Sequence, residues 1–299
     1  MGSRKSIGRQ AAERLREMES YGRSKHTDKR ANHERKLGYV PDRDKIYSYS
    51  TAGNYEDAAV RYAKWARSAH ACRDLDGARR YTGEYLQGRM EQGLSAWTIR
   101  LDAAALAKLY QCRTTELGAS LPVRHRSDVT QHRDERTIRG HYSETNNAEL
   151  AALCRSCGLR RSEVANLRPE DVARQADGTV LVHVRSGKGG KARTVTALDD
   201  TPARLAERAE AEGRRRVIAH IPNRAPIHAY RRQFAQALYD REARDVRTLE
   251  RNEQYRCRGE RKGVVYDKRA MALVSRQLGH GQSTGPEAKR IDVVTSYIK

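Results

Sequence analysis

Six side chains in the second half of this 299-residue chain are of types that together can act on a phosphate ester: Arg160, Lys188, His228, Arg231, His280 and Tyr297. Breaking a phosphodiester with a protein nucleophile requires an attacking oxygen held in line with the leaving oxygen. Cations must take up charge on the non-bridging oxygens, and a proton must reach the leaving oxygen. Arginine suits the charge role because its planar fork binds two phosphate oxygens and stays protonated. A tyrosine, with an ordinary pKa of about 10, becomes a nucleophile only where neighbouring cations or a base favour the phenolate. Taken singly, each residue has an ordinary alternative. Arg160 reads equally as a surface arginine at a helix start, His228 as a core histidine packed by Tyr230, and Lys188 as hairpin decoration beside Lys191.

The elements that must position them are legible from periodicity. Leu150, Leu153, Cys154 and Cys157 recur at helical spacing, and Gly158 ends that helix. A second helix starts near Ser162, buries Val164 and Leu167, and stops before Pro169. Val180, Val182 and Val184 alternate in a strand over 179–185, and a second strand over 193–198 is centred on Val195. The glycine-rich link 186–191 between them predicts a hairpin. Arg231, Phe234, Ala235 and Leu238 form one helical stripe, and Ala270, Leu273, Val274 and Gln277 another, with Asp267 as its cap. Upstream, Tyr55, Ala59, Tyr62, Ala66 and Ala69 predict a helix, as do Tyr81, Tyr85, Leu86 and Met90. After the break at Gly93, a third begins at Ser95 with Ile99, Ala103, Leu106 and Tyr110 on one side. The fold class is therefore mainly α with a small β-hairpin or sheet: an N-terminal helical bundle, then an α+β domain. The boundaries expected are a basic, partly disordered arm over 1–50, the bundle over 51–126, a polar linker over 127–134, and the second domain over 135–299. Ile7, Ala11, Leu15 and Met18 mark the face of one short helix inside the arm.

Charge points to the partner. Lys and Arg number 59 against 38 acids, a net of +21, which implies a polyanion: nucleic acid first, an anionic membrane surface second. No apolar run is long enough to span a bilayer and no apolar leader stands at the start, so the expectation is a cytoplasmic protein with no membrane role. The arm alone carries thirteen Lys or Arg against seven acids. Five cysteines fit a reduced compartment; Cys154 and Cys157 form a CxxC, but they lie on the buried stripe and read as core. No phosphate-binding GxxxxGK[ST] pattern is present, so nucleotide hydrolysis is disfavoured.

Four stretches carry the chemistry-bearing residues in order: Gly158-Leu159-Arg160-Arg161-Ser162-Glu163, then Gly187-Lys188-Gly189-Gly190-Lys191-Ala192-Arg193, then His228-Ala229-Tyr230-Arg231-Arg232, then Leu278-Gly279-His280 with Tyr297. In this order they resemble the tyrosine recombinase (phage-type integrase) family, whose signatures are GLRxSE, a GKGxKxR hairpin, HxxRR, LGH and a C-terminal tyrosine. The stretch from Tyr255 through Tyr266-Asp267 to His280 looks like integrases of conjugative and transposon-type elements. The likeness is dense over about 150–299, only architectural over 51–126, where the family has its core DNA-binding domain, and absent over 1–50 beyond charge.

The resemblance implies roles. Arg160 and Arg231 would grip the scissile phosphate, Lys188 would protonate the 5′ oxygen, His228 would serve as general acid/base, His280 would bond the phosphate, and Tyr297 would form a 3′-phosphotyrosyl link. Glu163 would brace Arg160, while Arg161, Lys191, Arg193 and Arg232 would contact DNA. The implied activity is site-specific recombination for integration or excision of a mobile element. Its partners would be double-stranded attachment sites, a homotetramer on DNA and an accessory excisionase or DNA-bending protein, with no cofactor and no metal. Alternatives are a type IB topoisomerase or telomere resolvase, and a catalytically inactive DNA-binding regulator. Departures are the long gap from His280 to Tyr297, which holds Gly285-Pro286 and reads as a loop, and the short stretch after Tyr297. The reading requires Arg160 and Arg231 on one side of the second domain, both reachable by a double helix.

Overall fold

The computed structural model describes residues 5–23, 27–28, 44–125, 142–188, 190–280 and 290–299. The chain divides into two units, Met1–Asp128 and Val129–Lys299. The expected linker over 127–134, most of the arm beyond Tyr21 and the loop 281–289 lie outside the described residues.

In the first unit, α1 (Ile7–Arg16) packs along α2 (Tyr49–His70). The contact is possible because α2 presents Ala52, Ala59, Ala63 and Ala66, side chains small enough for close helix approach. Ser6 and Ser48 cap the two N-termini, each Oγ accepting from the backbone N–H three residues on. Short α3 (Leu75–Ala78), then α4 (Thr82–Glu91) and α5 (Ala96–Leu109), complete the bundle, and Ser95 caps α5 as expected. Two expectations change. Ala69 is exposed, and the buried face of α2 runs instead through Ala59, Tyr62, Ala63 and Ala66. The start of the chain is also not a separate arm: Ile7, Ala11, Leu15, Met18 and Ile46 share the core of α2 and α5, and Ile46 N–H donates to the Met18 carbonyl. Their few apolar side chains suffice because the partner face is mostly alanine.

In the second unit, α6 (Ala148–Cys157) buries Leu150, Leu153, Cys154 and Cys157. Both thiols are free, and burial pushes Cys154 up to about 12, as suits packing rather than reactivity. Gly158 ends the helix at φ 57°; a Cβ there would overlap the Phe234 ring, so this turn admits only glycine. Helix α7 (Arg161–Asn166) follows. A three-stranded antiparallel sheet comes next, β1 (Val172–Arg174), β2 (Val180–Val184) and β3 (Arg193–Thr196), with Val182 opposite both Val172 and Val195. The hairpin is thus as expected, and β1 adds an edge strand. Helices α8 (Thr201–Ala211), α9 (Ile227–Glu242) and α10 (Lys268–Gln277) close the core, with a small hairpin of β4 (Gln254–Arg256) and β5 (Val265–Asp267) leading into α10. The Asp267 carboxylate caps α10 through Arg269 N–H. The last turn, Ile291–Ser296, returns the chain to the core, where Val294, Tyr297 and Ile298 are buried. The architecture is mainly helical with two small antiparallel sheets. Among the described residues no helix is long and apolar enough to cross a membrane.

Candidate active site

The site is organised by one carboxylate and one carbonyl. Glu163, on the first turn of α7, accepts from the Arg160 backbone N–H (2.8 Å) and from Arg160 Nη1 (2.7 Å). From β3, Arg193 meets the same carboxylate with both ends of its fork, at 2.7 and 2.8 Å. The Leu278 carbonyl, at the end of α10, accepts from Arg160 Nη2 (3.1 Å) and from Arg231 Nη2. Arg231 Nη1 donates to the Gly158 carbonyl. Two arginines 71 positions apart therefore converge on one oxygen. Tyr297 closes the group: its ring centroid is 5.9 Å from Arg231 Cζ and 5.4 Å from the His280 ring.

The charges do not balance. Arg160, Arg193 and Arg231 have side chains 17%, 4% and 0% exposed, and the carboxylate among them is Glu163, also 0% exposed. Burial, then repulsion from Arg160, pulls Arg231 down to about 10. Burial and the positive charges of Arg231, Arg160, Arg193 and Arg290 hold His280 down at about 4, so its ring is neutral at pH 7. Burial alone would raise Glu163, but the bonds from Arg193 and Arg160 outweigh it and hold the carboxyl at about 2. Two buried polar atoms, Arg231 Nε and His280 Nε2, have no hydrogen-bond partner among the described residues. An excess of buried cations beside unpaired nitrogens is an arrangement that an oxyanion completes.

These shifts set a pH dependence. Both groups are lowered on folding, so the unfolded chain binds more protons and stability rises with pH. The His280 contribution is full above about 6.5, the ordinary histidine value, and is lost as pH falls through 4; that of Glu163 is full above about 4.5 and lost toward 2. Thermal melts are expected to be flat above pH 7 and to fall below it, with His280→Asn flattening only the upper limb. A His280→Asn profile identical to that of the original chain would refute the assignment.

The other expected residues fall elsewhere. Lys188 and Lys191 are exposed at the tip between β2 and β3, which is closed by Gly187 N–H to the Lys191 carbonyl. His228 is exposed on the first turn of α9, three residues before Arg231; Arg232 is half-buried. Two expected DNA contacts are internal instead. Arg161 spends its guanidinium on the carbonyls of Ile221, Pro222, Asn223 and Ala225, pinning the loop before α9. Arg193 is bound to Glu163 and to the Gln277 carbonyl (3.0 Å). Arg231 also departs from expectation: it is fully buried, so no duplex touches it in this arrangement. Its place on the apolar stripe of α9 was the sequence signal for that burial. A cleft of about 560 Å3 opens beside Glu163, lined among others by His183, Arg185, Arg215 and Arg216, but by none of Arg160, Arg231, His280 and Tyr297. The convergent charges mark the candidate site better than this hollow, where Arg185 is already paired with Asp171 and Glu170. Among the described residues no group of three His, Cys, Asp or Glu is placed to hold a metal ion.

No protein-family model matches the chain, and no curated protein matches it. Solved structures do. The XerH site-specific recombinase bound to difH substrate, in a pre-cleavage complex, matches with a TM-score of 0.53 at 15% identity, over 97% of this chain and 91% of that one. XerH bound to palindromic difH substrate, in a post-cleavage complex, matches with a TM-score of 0.52 at 15% identity, over 97% and 90%. The mainly helical chain with its small antiparallel sheets has the tyrosine-recombinase fold.

Proposed function

We propose that this chain is a site-specific DNA recombinase of the tyrosine recombinase family, cleaving and rejoining strands through a 3′-phosphotyrosyl intermediate at Tyr297. The observation that carries the reading is the convergence of Arg160 and Arg231 on the Leu278 carbonyl with Tyr297 and His280 packed against them. A scissile phosphate entering there would satisfy Arg231 Nε and His280 Nε2, and its charge would offset the surplus of guanidinium groups. Tyr297 Oη forms a bond to phosphorus as the bond to the 5′ oxygen breaks, and Lys188, on the glycine-flanked tip, gives that oxygen its proton. His228, one helical turn from Arg231, takes the tyrosine proton. Lys191 and Arg232 contact the DNA backbone. The 5′-hydroxyl of a partner strand reverses the step, so bond energy is kept in the ester.

Because Arg231 and Tyr297 are buried together, the segment carrying Tyr297 must move before DNA engages. Four protomers on paired attachment sites, helped by an excisionase or a DNA-bending protein, would integrate or excise a mobile element in the cytoplasm. The test is covalent capture from a pool of nicked duplexes, the nick letting the cleaved 5′ end escape. Protein-linked strands are expected after denaturation, and two copies of the recovered site should then yield recombined product. Relaxation of supercoils without paired-site products would mark a topoisomerase; duplex binding with no adduct from any substrate would leave only a DNA-binding regulator.

A further inference from the structure

We propose that Arg193 is a positioning residue for strand cleavage: it ties the Lys188 hairpin, the Arg160 guanidinium and the Leu278–His280 turn into one rigid frame. The inference rests on the function proposed above. Arg193 is the first residue of β3, immediately after the hairpin tip, and is buried. Its three donor nitrogens are all used, Nη1 and Nη2 on the two oxygens of Glu163 and Nε on the Gln277 carbonyl. Glu163 in turn orients Arg160 through the backbone N–H and Nη1. Gln277 immediately precedes Leu278, whose carbonyl holds Arg160 and Arg231. One side chain thus holds Glu163 directly and the Leu278 carbonyl through the residue before it, two of the three acceptors that aim the phosphate-gripping arginines; the third is the Gly158 carbonyl.

The chain is shaped to admit it. A Cβ on Gly187 would lie 3.0 Å from Arg193 Nη1 and 3.2 Å from Glu163 Oε1; one on Gly279 would lie 3.0 Å from Arg193 Cδ. The glycines at the hairpin base and before His280 therefore flank the guanidinium from two elements. Gly279, at φ 66°, also needs glycine for its backbone. There is an electrostatic reason as well. Without Arg193, the Glu163 carboxylate would draw the whole Arg160 fork into a two-pronged pair and away from a phosphate. With Arg193 occupying both carboxylate oxygens, Arg160 keeps Nη2 on the Leu278 side. Lysine has one nitrogen and no planar fork, so it cannot span Glu163 and Gln277 together.

The experiment is single-turnover cleavage of a nicked duplex by the full chain with Arg193→Lys, measured across duplex concentration. The variant is expected to bind DNA with a half-saturating concentration within about twofold of the original while its saturating cleavage rate falls about 100-fold, the loss expected for a displaced reacting group. A saturating rate within about threefold of the original, or a loss matched by weaker binding, overturns the proposal and makes Arg193 a core ion pair or a DNA contact. Should Arg193→Lys fail to fold, Glu163→Gln with Arg193→Met removes both buried charges together. The same split between rate and binding is expected there, and an unchanged rate again overturns it. An original chain that forms no adduct on any duplex refutes the proposed function instead, before any variant is compared.

Discussion

Tyr297→Phe is expected to abolish covalent capture, by about 1,000-fold or more, and to leave folding and DNA binding in place. Tyr297 is buried, with its ring packed near Arg231 and His280, and phenylalanine keeps that ring while removing only Oη. Stability should fall by no more than about 1–3 kcal/mol, the scale for losing one buried polar group's interactions, which a melt can read beside the adduct assay. Two other tyrosines test the assignment. Tyr266 is buried against Tyr239 and its Oη accepts from Arg261 Nη2 at 2.5 Å, and Tyr255 is half-buried on β4. Neither is grouped with Arg160 and Arg231. Undiminished adduct in Tyr297→Phe would therefore remove Tyr297 as the nucleophile.

The parts of this arrangement that sequence made legible are those with a regular apolar period. The stripes through Leu150 and Cys157 and through Phe234 and Leu238 are core faces, the Val182–Val195 pairing centres the hairpin, and Asp267 caps its helix. Strands β1, β4 and β5 escaped because three residues carry no readable alternation. Helix α8 escaped because its buried face is built of small side chains, Ala203, Ala206 and Ala209 among them, with Leu205 as its one large apolar side chain. The arginines show a different limit. Arg161 and Arg193 sit in polar, glycine-bearing stretches, and the family resemblance implied a contact with DNA for each. What decides their fate is an acceptor far along the chain: the carbonyls of 221–225 for one, Glu163 for the other. Ordered motifs thus identified the residues that gather but not which guanidinium faces inward.

Arg231→Met is the second large expected effect, and it separates function from stability. Replacing a buried cation with an apolar side chain of similar length has two opposed consequences for the fold. The Gly158 carbonyl loses its side-chain donor, at about 1–3 kcal/mol if it is left unsatisfied, while the Leu278 carbonyl keeps Arg160 Nη2. Against this, burial and the nearness of Arg160 hold Arg231 down at about 10, so keeping it charged at pH 7 costs on the order of 3 kcal/mol. The terms are of similar size, and the net change in stability should stay within about 2 kcal/mol of zero. Cleavage has no such compensation. The phosphate loses a buried cation and its Nε donor, and the adduct rate should fall about 1,000-fold or more at saturating duplex. Relief of repulsion should also let His280 protonate more readily, so its titration moves upward from about 4. An NMR titration of the ring reads that shift in the DNA-free chain, independently of cleavage. A variant that cleaves within tenfold of the original would remove Arg231 from the chemistry. An unmoved His280 titration would mean that the two charges do not share the site.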